Sequence, residues 1–295
     1  MNLFRSLPHG CTPARTSTGW ATLGRSTLCQ RALSTTTLVP EQLAGTAPAH
    51  RCYAFLHTPQ PPSAYPAKYT TPVQRKLLLA TAPWGGAVNF AWSPSQPVHP
   101  CPPNPTNAEE PQTYHLTAFS SARGKLEIEA VSLANVEDVA RTLHAHIEPR
   151  TTASGGPSHC DSESAPNDLH LYVCTHGARD CRCGHTGGAV ARTIRAELDK
   201  RRERDASDPS TRIKLAQVAH VGGHKYAANV LVYPHGEWLG NVKPENIPEI
   251  IDAILARPVR PMHPEEMPIC PSHWRGRMGL SKEEQVELFN RFSSK

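Results

Sequence analysis

The chain has no run of about 18 apolar residues, so no segment is long enough for a transmembrane helix. It has no G-x-G-x-x-G loop, no C-x-x-C pair and no Ser-His-Asp pattern that supports an argument. Those absences leave no dinucleotide site, no thioredoxin-type dithiol and no hydrolase triad. Aromatic residues are scarce at 6%, whereas Pro is abundant at 29 of 295 residues, which predicts long loops around a limited core. Acidic residues are missing altogether before Glu41.

That last absence marks the N-terminus as different from the rest. Arg5, Arg15, Arg25 and Arg31 occur there among many Ser and Thr residues, including Ser34 to Thr37. Basic, hydroxylated and acid-poor composition is that of a mitochondrial transit peptide, and no apolar stretch supports a secretory signal. Arg31-Ala32-Leu33 before Ser34 has the form of a matrix-protease cleavage site. The expectation is a leader over 1–33 and a mitochondrial, matrix location. Its removal takes four of the 31 basic residues and none of the 26 acidic ones. Most of the net +5 therefore belongs to the leader, and the near-neutral remainder gives no argument for nucleic-acid binding.

Cysteine is the informative residue. Of nine, Cys11 and Cys29 leave with the leader, and Cys52, Cys101, Cys160, Cys174, Cys181, Cys183 and Cys270 remain. An odd, irregular set does not read as a secreted disulfide framework. Cys174, Cys181 and Cys183 fall within ten residues, and that clustering points to metal or redox chemistry.

The pattern predicts an N-terminal α/β domain over 34–150, a linker over 151–167, a second domain over 168–262 and a tail over 263–295. Residues 41–74 read as Pro-rich loop. Lys76–Ala80 and Ala87–Trp92 read as strands split by the turn at Pro83–Gly86, and 113–119 and 126–131 alternate as strands do. Asn135 can start a helix with Val136, Val139, Leu143 and Ile147 on one face. In the second domain, strands are expected at 169–173, 213–218, 229–233 and 237–239, with helices over 189–204 and 244–255. This β-α-β-β-β-α order suits a thioredoxin-like layer. A Pro-broken tail ends in a helix that Ser281 and Glu284 can cap as a box.

The candidate ligands sit at the strand ends of that second domain. Cys174 closes the first strand and Cys183 lies in the loop after it; His220 follows the next strand and His224 precedes another. Ends of neighbouring strands converge, so the four side chains can meet at one edge. Gly222 and Gly223 permit a folded-back loop rather than a helical H-x-x-x-H, and Val221 stands where a zincin needs Glu. Eight residues between Cys174 and Cys183 are too many for a zinc knuckle, and a wide loop suits a [2Fe–2S] rhomb better. A zinc-binding interaction module, bare thiol chemistry at Cys181 and Cys183, and core histidines with incidental cysteines remain open on these residues alone.

The stretch Cys174-x-His176-x-x-Arg179-Asp180-x-Arg182-Cys183-Gly184, then His220-x-Gly222-Gly223-His224-Lys225, then Trp274-Arg275-Gly276-Arg277, resembles the sucrase/ferredoxin-like family. The leader and the segment from Tyr53 to Pro66 resemble its mitochondrial branch. The resemblance covers roughly 50–290 and implies a thioredoxin-like ferredoxin C-terminal domain. It implies a [2Fe–2S] cofactor on Cys174, Cys183, His220 and His224, with the cysteines on one iron and the histidines on the other. Cys181 falls at a variable position, and His176 and His185 match no ligand position. The implied role is an electron-transfer or redox-sensing protein, linked to mitochondrial thiol balance, rather than a substrate-converting enzyme. The partner implied is another redox protein, with no nucleic acid and no membrane span. Arg179, Arg182 and Lys225 would steady the reduced cluster or dock an acidic partner, or be solvated charges with Asp180 pairing one of them. Trp238 and Trp274 would cover the site or serve as core.

Replacing two thiolates by neutral imidazoles removes negative charge from a cluster, so an added electron is accepted more readily. Histidine ligation in Rieske centres accordingly gives about −150 to +300 mV, against roughly −400 mV in plant-type ferredoxins. Reduction is expected to couple to protonation of His220 or His224, so the midpoint potential should fall as pH rises through the neutral range. A potentiometric titration at several pH values checks this, and a pH-independent midpoint would contradict it.

Overall fold

Two six-residue segments, Cys52–His57 (β1) and Leu169–Cys174 (β5), are buried at every position. That is the mark of a strand covered on both faces. The computed structural model describes residues 42–99, 113–149 and 168–293. The leader over 1–33 and the linker over 151–167 lie outside these residues, as do Cys101 and Cys160. The other strands are β2 (Gly86–Trp92), β3 (Tyr114–Ser120), β4 (Gly124–Val131), β6 (Ile213–Val218), β7 (Val230–Tyr233), β8 (Glu237–Leu239) and β9 (Trp274–Arg277). They form one sheet in the order β4-β3-β1-β2-β6-β5-β7-β8-β9.

The sheet consists of two halves wired alike. β1 pairs parallel with β2 and antiparallel with β3, which pairs antiparallel with β4. β5 repeats this with β6, β7 and β8. Each half carries a helix between its first two strands and another after its fourth. These are α1 (Pro72–Thr81) and α2 (Val136–His146), then α3 (Gly188–Arg204) and α4 (Ile247–Leu255). The fold is mixed α/β, and the second half has the thioredoxin-like order that its sequence suggested. The first half has the same order.

Within the sheet the halves pair through Ala91↔Val218 and Trp92↔Gln217 of β2 and β6, antiparallel. Rings on their inner faces nevertheless touch: Phe55 stacks on Tyr172 at 3.9 Å and Phe119 on Tyr233 at 4.5 Å. In a flat sheet β1 and β5 would stand about 14 Å apart, three strand spacings. The sheet therefore folds back at its short junction and encloses an aromatic layer of Tyr53, Phe55, Phe119, Tyr172, Tyr233 and Trp238. Period-2 alternation sends the other residues of the same strands outward. Cys52, Ala54 and Leu56 pack under α1 and α2, and Leu169, Leu171 and Val173 pack under α3 and α4.

Three expectations are corrected. Residues 41–74 are not all loop, because β1 runs through them. Prolines flank that strand but do not enter it. Lys76–Ala80 is helix, within α1, and not strand. The Thr71 side chain accepts from the Gln74 N–H at 3.3 Å and Pro72 fills the first turn, both helix-start signals. Only Val73, Leu77 and Thr81, four apart, are buried, while Leu79 is 67% exposed. The Pro-broken tail also contains a strand, β9, paired antiparallel with β8.

The tail is fastened at both ends. Ser281 and Glu284 form the expected box, with Ser281 N–H to Glu284 Oε2 at 2.7 Å and Glu284 N–H to Ser281 Oγ at 3.2 Å. It opens helix α5 (Lys282–Ser293). Trp274 is fully buried and stacks on Phe289 of that helix. Arg277 on β9 donates Nε to Glu237 Oε1 on β8 at 2.5 Å, with both side chains 1% exposed or less. Its Nη1 also donates to the Glu266 carbonyl at 2.9 Å. Removing one partner of such a pair strands the other charge. Arg277→Met is expected to cost about 3–5 kcal/mol of unfolding free energy, read from denaturation midpoints. Arg277→Met with Glu237→Leu should recover most of that loss, and an unchanged single variant would contradict the assignment.

Candidate metal centre

Cys174 is the last residue of β5 and is 1% exposed. Its N–H donates to the Asn229 carbonyl at 3.1 Å, and the Thr175 N–H to Val218 at 3.2 Å, so the chain leaves the sheet in register with β6. The loop then turns back. His176 is pinned to the Pro66 carbonyl at 2.9 Å, and the Cys183 N–H donates to the Asp180 carbonyl at 3.0 Å. A π-helical turn, Cys183–Gly187, feeds α3, an irregularity common at functional sites. Glycine makes the return possible. A Cβ on Gly187 would lie 2.0 Å from the Cys174 carbonyl oxygen, and one on Gly184 would lie 2.7 Å from the Gly177 Cα. Backbone packs directly on backbone, and Cys183, itself 1% exposed, is delivered beside Cys174.

The histidine loop is built by different means. Gly222 and Gly223 take φ of +84° and +65°, the left-handed turn that their sequence suggested. Asn229 Nδ2 donates to the Gly223 carbonyl at 3.1 Å, and Arg275 Nη1 reaches the Gly222 carbonyl at 3.4 Å. Asn89 of β2 holds the start of the loop, donating to the Ala219 carbonyl at 3.2 Å. His224 then opens a 3₁₀ turn through Tyr226.

The donor atoms of Cys174, Cys183 and His220 all lie within 4.8 Å of one another. Cys183 Sγ is 3.6 Å from His220 Nδ1. The His224 ring centre is 5.6 Å from that of His220, but its Nδ1 faces Asp180 Oδ2 at 3.6 Å and its side chain is 48% exposed. Three of the four expected ligands thus meet, and the fourth stands at the rim. His185 and Cys181 are exposed, and His176 is occupied by Pro66. Cys174 and Cys183 are free thiols.

The two thiols are not equivalent. A hydrogen bond from Cys183 lowers the Cys174 pKa despite burial, helped by the backbone N–H groups of Val221 and His176 and by the charge of Arg275. The same contact raises that of Cys183, as does burial. Cys174 is therefore the first to become thiolate, with two amide donors already aimed at its sulfur. Such donors to sulfur are how proteins tune thiolate-bound metals. Two buried sulfurs, one of them so prepared, and an imidazole fit a soft or borderline metal centre.

The charges around the site sort themselves. Arg182 donates to Asp180 through Nε at 3.0 Å and Nη2 at 2.9 Å. That hydrogen bond helps hold the Asp180 carboxyl down to about 2. Lys225 lies over the Tyr226 ring. Arg179 is exposed and makes no ion pair among the described residues. The cation that acts on the buried Cys174 is Arg275, from β9, with Trp238 buried beside it. Sequence reasoning placed Arg275 only within a resemblance motif, since nothing local says that the tail returns to this loop. A cleft of about 570 Å³ opens beside the cysteine loop, lined by Thr175, Gly184, Trp92, Gln217, Arg192 and Arg195.

Gly187→Ala is expected to weaken metal retention about tenfold or more, as loss of ligand support does elsewhere. Gly188→Ala is the control, since its Cβ would meet only the Arg192 side chain at 3.4 Å. Metal content after passage over a chelating column reads both. Equal retention would remove the close approach from the list of requirements.

Residues 43–276 match the profile of the Sucrase/ferredoxin-like family. The chain is 37% identical over 95 residues to Altered inheritance of mitochondria protein 32 of Meyerozyma guilliermondii, covering 31% of this chain and 32% of that protein. It is 37% identical over 91 residues to Actin patches distal protein 1 of Saccharomyces cerevisiae, covering 29% of each. These matches span about a third of the relatives' own length. Among solved structures it is similar to a thioredoxin-like [2Fe–2S] ferredoxin from Aquifex aeolicus, at 19% identity and a TM-score of 0.24, over 30% of this chain and 81% of that one. Matched over most of its length by the family profile, with the spaced Cys and His motifs in place, the chain belongs to the sucrase/ferredoxin-like family.

Proposed function

We propose that the chain is a [2Fe–2S] protein that exchanges single electrons, with the cluster held by Cys174, Cys183, His220 and His224. The observation that carries this reading is the convergence of Cys174, Cys183 and His220 within 4.8 Å, with amide donors already on Cys174. When bound, such a cluster takes up one electron and gives it back.

The residues divide the work. Cys174 and Cys183 anchor the buried side, where burial keeps water and oxidants from the sulfurs. His220 is half-buried and His224 exposed, so the imidazole side is the edge nearest solvent and the route by which an electron leaves. In this reading His224 swings from Asp180 to complete the set. On the cysteine loop Arg179 is exposed, and Arg192 and Arg195 line the cleft beside that loop together with Asp199, a mainly basic surface that suits an acidic redox partner. No helix among the described residues is long and apolar enough to cross a membrane.

The reading places the protein in mitochondria, in the matrix after loss of 1–33. Two supports are the composition of the leader and the name of the Meyerozyma relative. We divide the mature chain into an N-terminal unit over 34–150, a linker over 151–167, the cluster-bearing unit over 168–262 and the tail. The N-terminal unit supplies the second aromatic face and Asn89, and none of the four proposed ligands.

Anaerobically purified protein should be red-brown, with about two irons and two sulfides per chain. One zinc and no sulfide would replace this reading with a structural zinc module. Metal-free protein whose activity depends on Cys181 would replace it with thiol chemistry. His224→Cys should keep the cluster and lower its midpoint potential; a potential left unchanged would remove His224 from the ligand set.

A further inference from the structure

We propose that Arg275 is a positioning residue for this site: it braces the histidine loop and supplies the uncompensated positive charge that raises the potential of the centre. The electrostatic half rests on the [2Fe–2S] reading, whereas the bracing half does not.

Three arginines are buried among the described residues: Arg201, Arg275 and Arg277. Arg201 meets Glu197 at 2.8 Å and Asp252 at 2.6 Å, and Arg277 meets Glu237 at 2.5 Å. Arg275 is 1% exposed and meets no carboxylate among the described residues. Its donors all go to neutral acceptors. Nε reaches Thr46 Oγ1 at 3.1 Å, and Nη2 reaches the Thr46 carbonyl at 2.6 Å. Nη1 reaches Asn229 Oδ1 at 2.7 Å and the Gly222 carbonyl at 3.4 Å. The guanidinium carbon lies 5.1 Å from the centre of the Tyr226 ring and 5.6 Å from that of Trp238. Satisfied hydrogen bonds do not neutralise a charge, and buried charges in proteins are normally paired.

The guanidinium is pressed against the loop that carries both histidines. A Cβ on Gly223 would sit 2.3 Å from its Nη2, so glycine there is required by the arginine as well as by φ. Asn229 closes a bracket, accepting from Arg275 and donating to the Gly223 carbonyl. Arg275 also acts electrostatically on Cys174, the buried end of the site. Burial lowers the Arg275 pKa to about 10, so it still carries its proton at neutral pH. A fixed positive charge beside a centre favours the state with one more electron, and low dielectric strengthens the effect.

The test compares the full-length protein with Arg275→Gln and Arg275→Lys. In the loaded form, Arg275→Gln should shift the midpoint potential downward at unchanged iron and sulfide content, and Arg275→Lys should restore most of the shift. In the metal-free form, both variants should speed amide hydrogen exchange at Tyr226 and Ala227, whose N–H groups close the turn on Gly223 and His224. Should Arg275→Gln fail to fold, Asn229→Asp supplies the missing carboxylate at nearly constant shape and should also lower the potential. An unchanged potential overturns the electrostatic role, and unchanged exchange overturns the bracing. An iron-free wild type overturns the cluster reading together with the electrostatic half, while the exchange comparison still decides the bracing.

Discussion

Two strands that are not neighbours in the sheet touch through their rings, and the rest of the molecule is arranged around that contact. Phe55 of β1 lies nearly parallel to Tyr172 of β5, 8° from coplanar. Only a fold in the sheet permits it, and the fold is located where pairing is thinnest, at the two residue pairs between β2 and β6. Once folded, each half hides its partner's aromatic face, and the helices cover the outer faces. Neither half could leave such a face in water without cost, since each ring buries a large apolar area. The duplication of strand order therefore solves one problem twice and joins the solutions face to face.

The site inherits its position from this arrangement. Cys174 belongs to the same aromatic layer as Tyr172, two residues earlier and on the same side of β5. Its sulfur is therefore deep, and Cys183 joins it there. The histidines come from the end of β6, the strand at the fold, where the ladder stops and backbone is free to turn outward. The cysteines are inside and the histidines nearer the edge because Cys174 ends a buried strand and the glycine-backed turn returns Cys183 to it, whereas His220 and His224 lie on the loop after β6.

What the sequence reveals follows the range of the interaction that decides each element. β5, β6, β7, α3 and α4 have local apolar patterns, and a reader of the chain finds them. β1 has Cys-Tyr-Ala-Phe-Leu-His without polar alternation because both of its faces are covered, and prolines on each side disguise it. The leucines at 77, 78 and 79 fit strand or helix equally; the Thr71–Pro72 start decides, and it is easily outweighed by eye. At the site, the approach of Cys174, Cys183 and His220 was legible from strand ends, with the choice of Cys183 over Cys181 resting on the family resemblance. The orientation of His224 toward Asp180 was not, since it depends on a charge in another loop. Arg275 was the least legible, because its partners Thr46, Asn229 and Gly222 are separated from it by 229, 46 and 53 positions.

β9 brings two buried arginines into the molecule two residues apart, and they solve opposite problems. The ladder pairs Arg277 with Glu237 and Gly276 with Trp238 but then Trp274 with Leu239, so Arg275 is the extra residue of an irregularity and the two side chains reach different surroundings. Arg277 finds Glu237 and the pair is electrically closed, a fastening that does not depend on the site. Arg275 finds hydroxyl, amide and carbonyl oxygens, which orient it but leave its charge open. That open charge also acts electrostatically on the buried Cys174, whose pKa it helps to lower. The tail is thus not an appendage to the second half: β9, at the edge of the sheet, carries the arginine that braces the histidine loop and acts on Cys174.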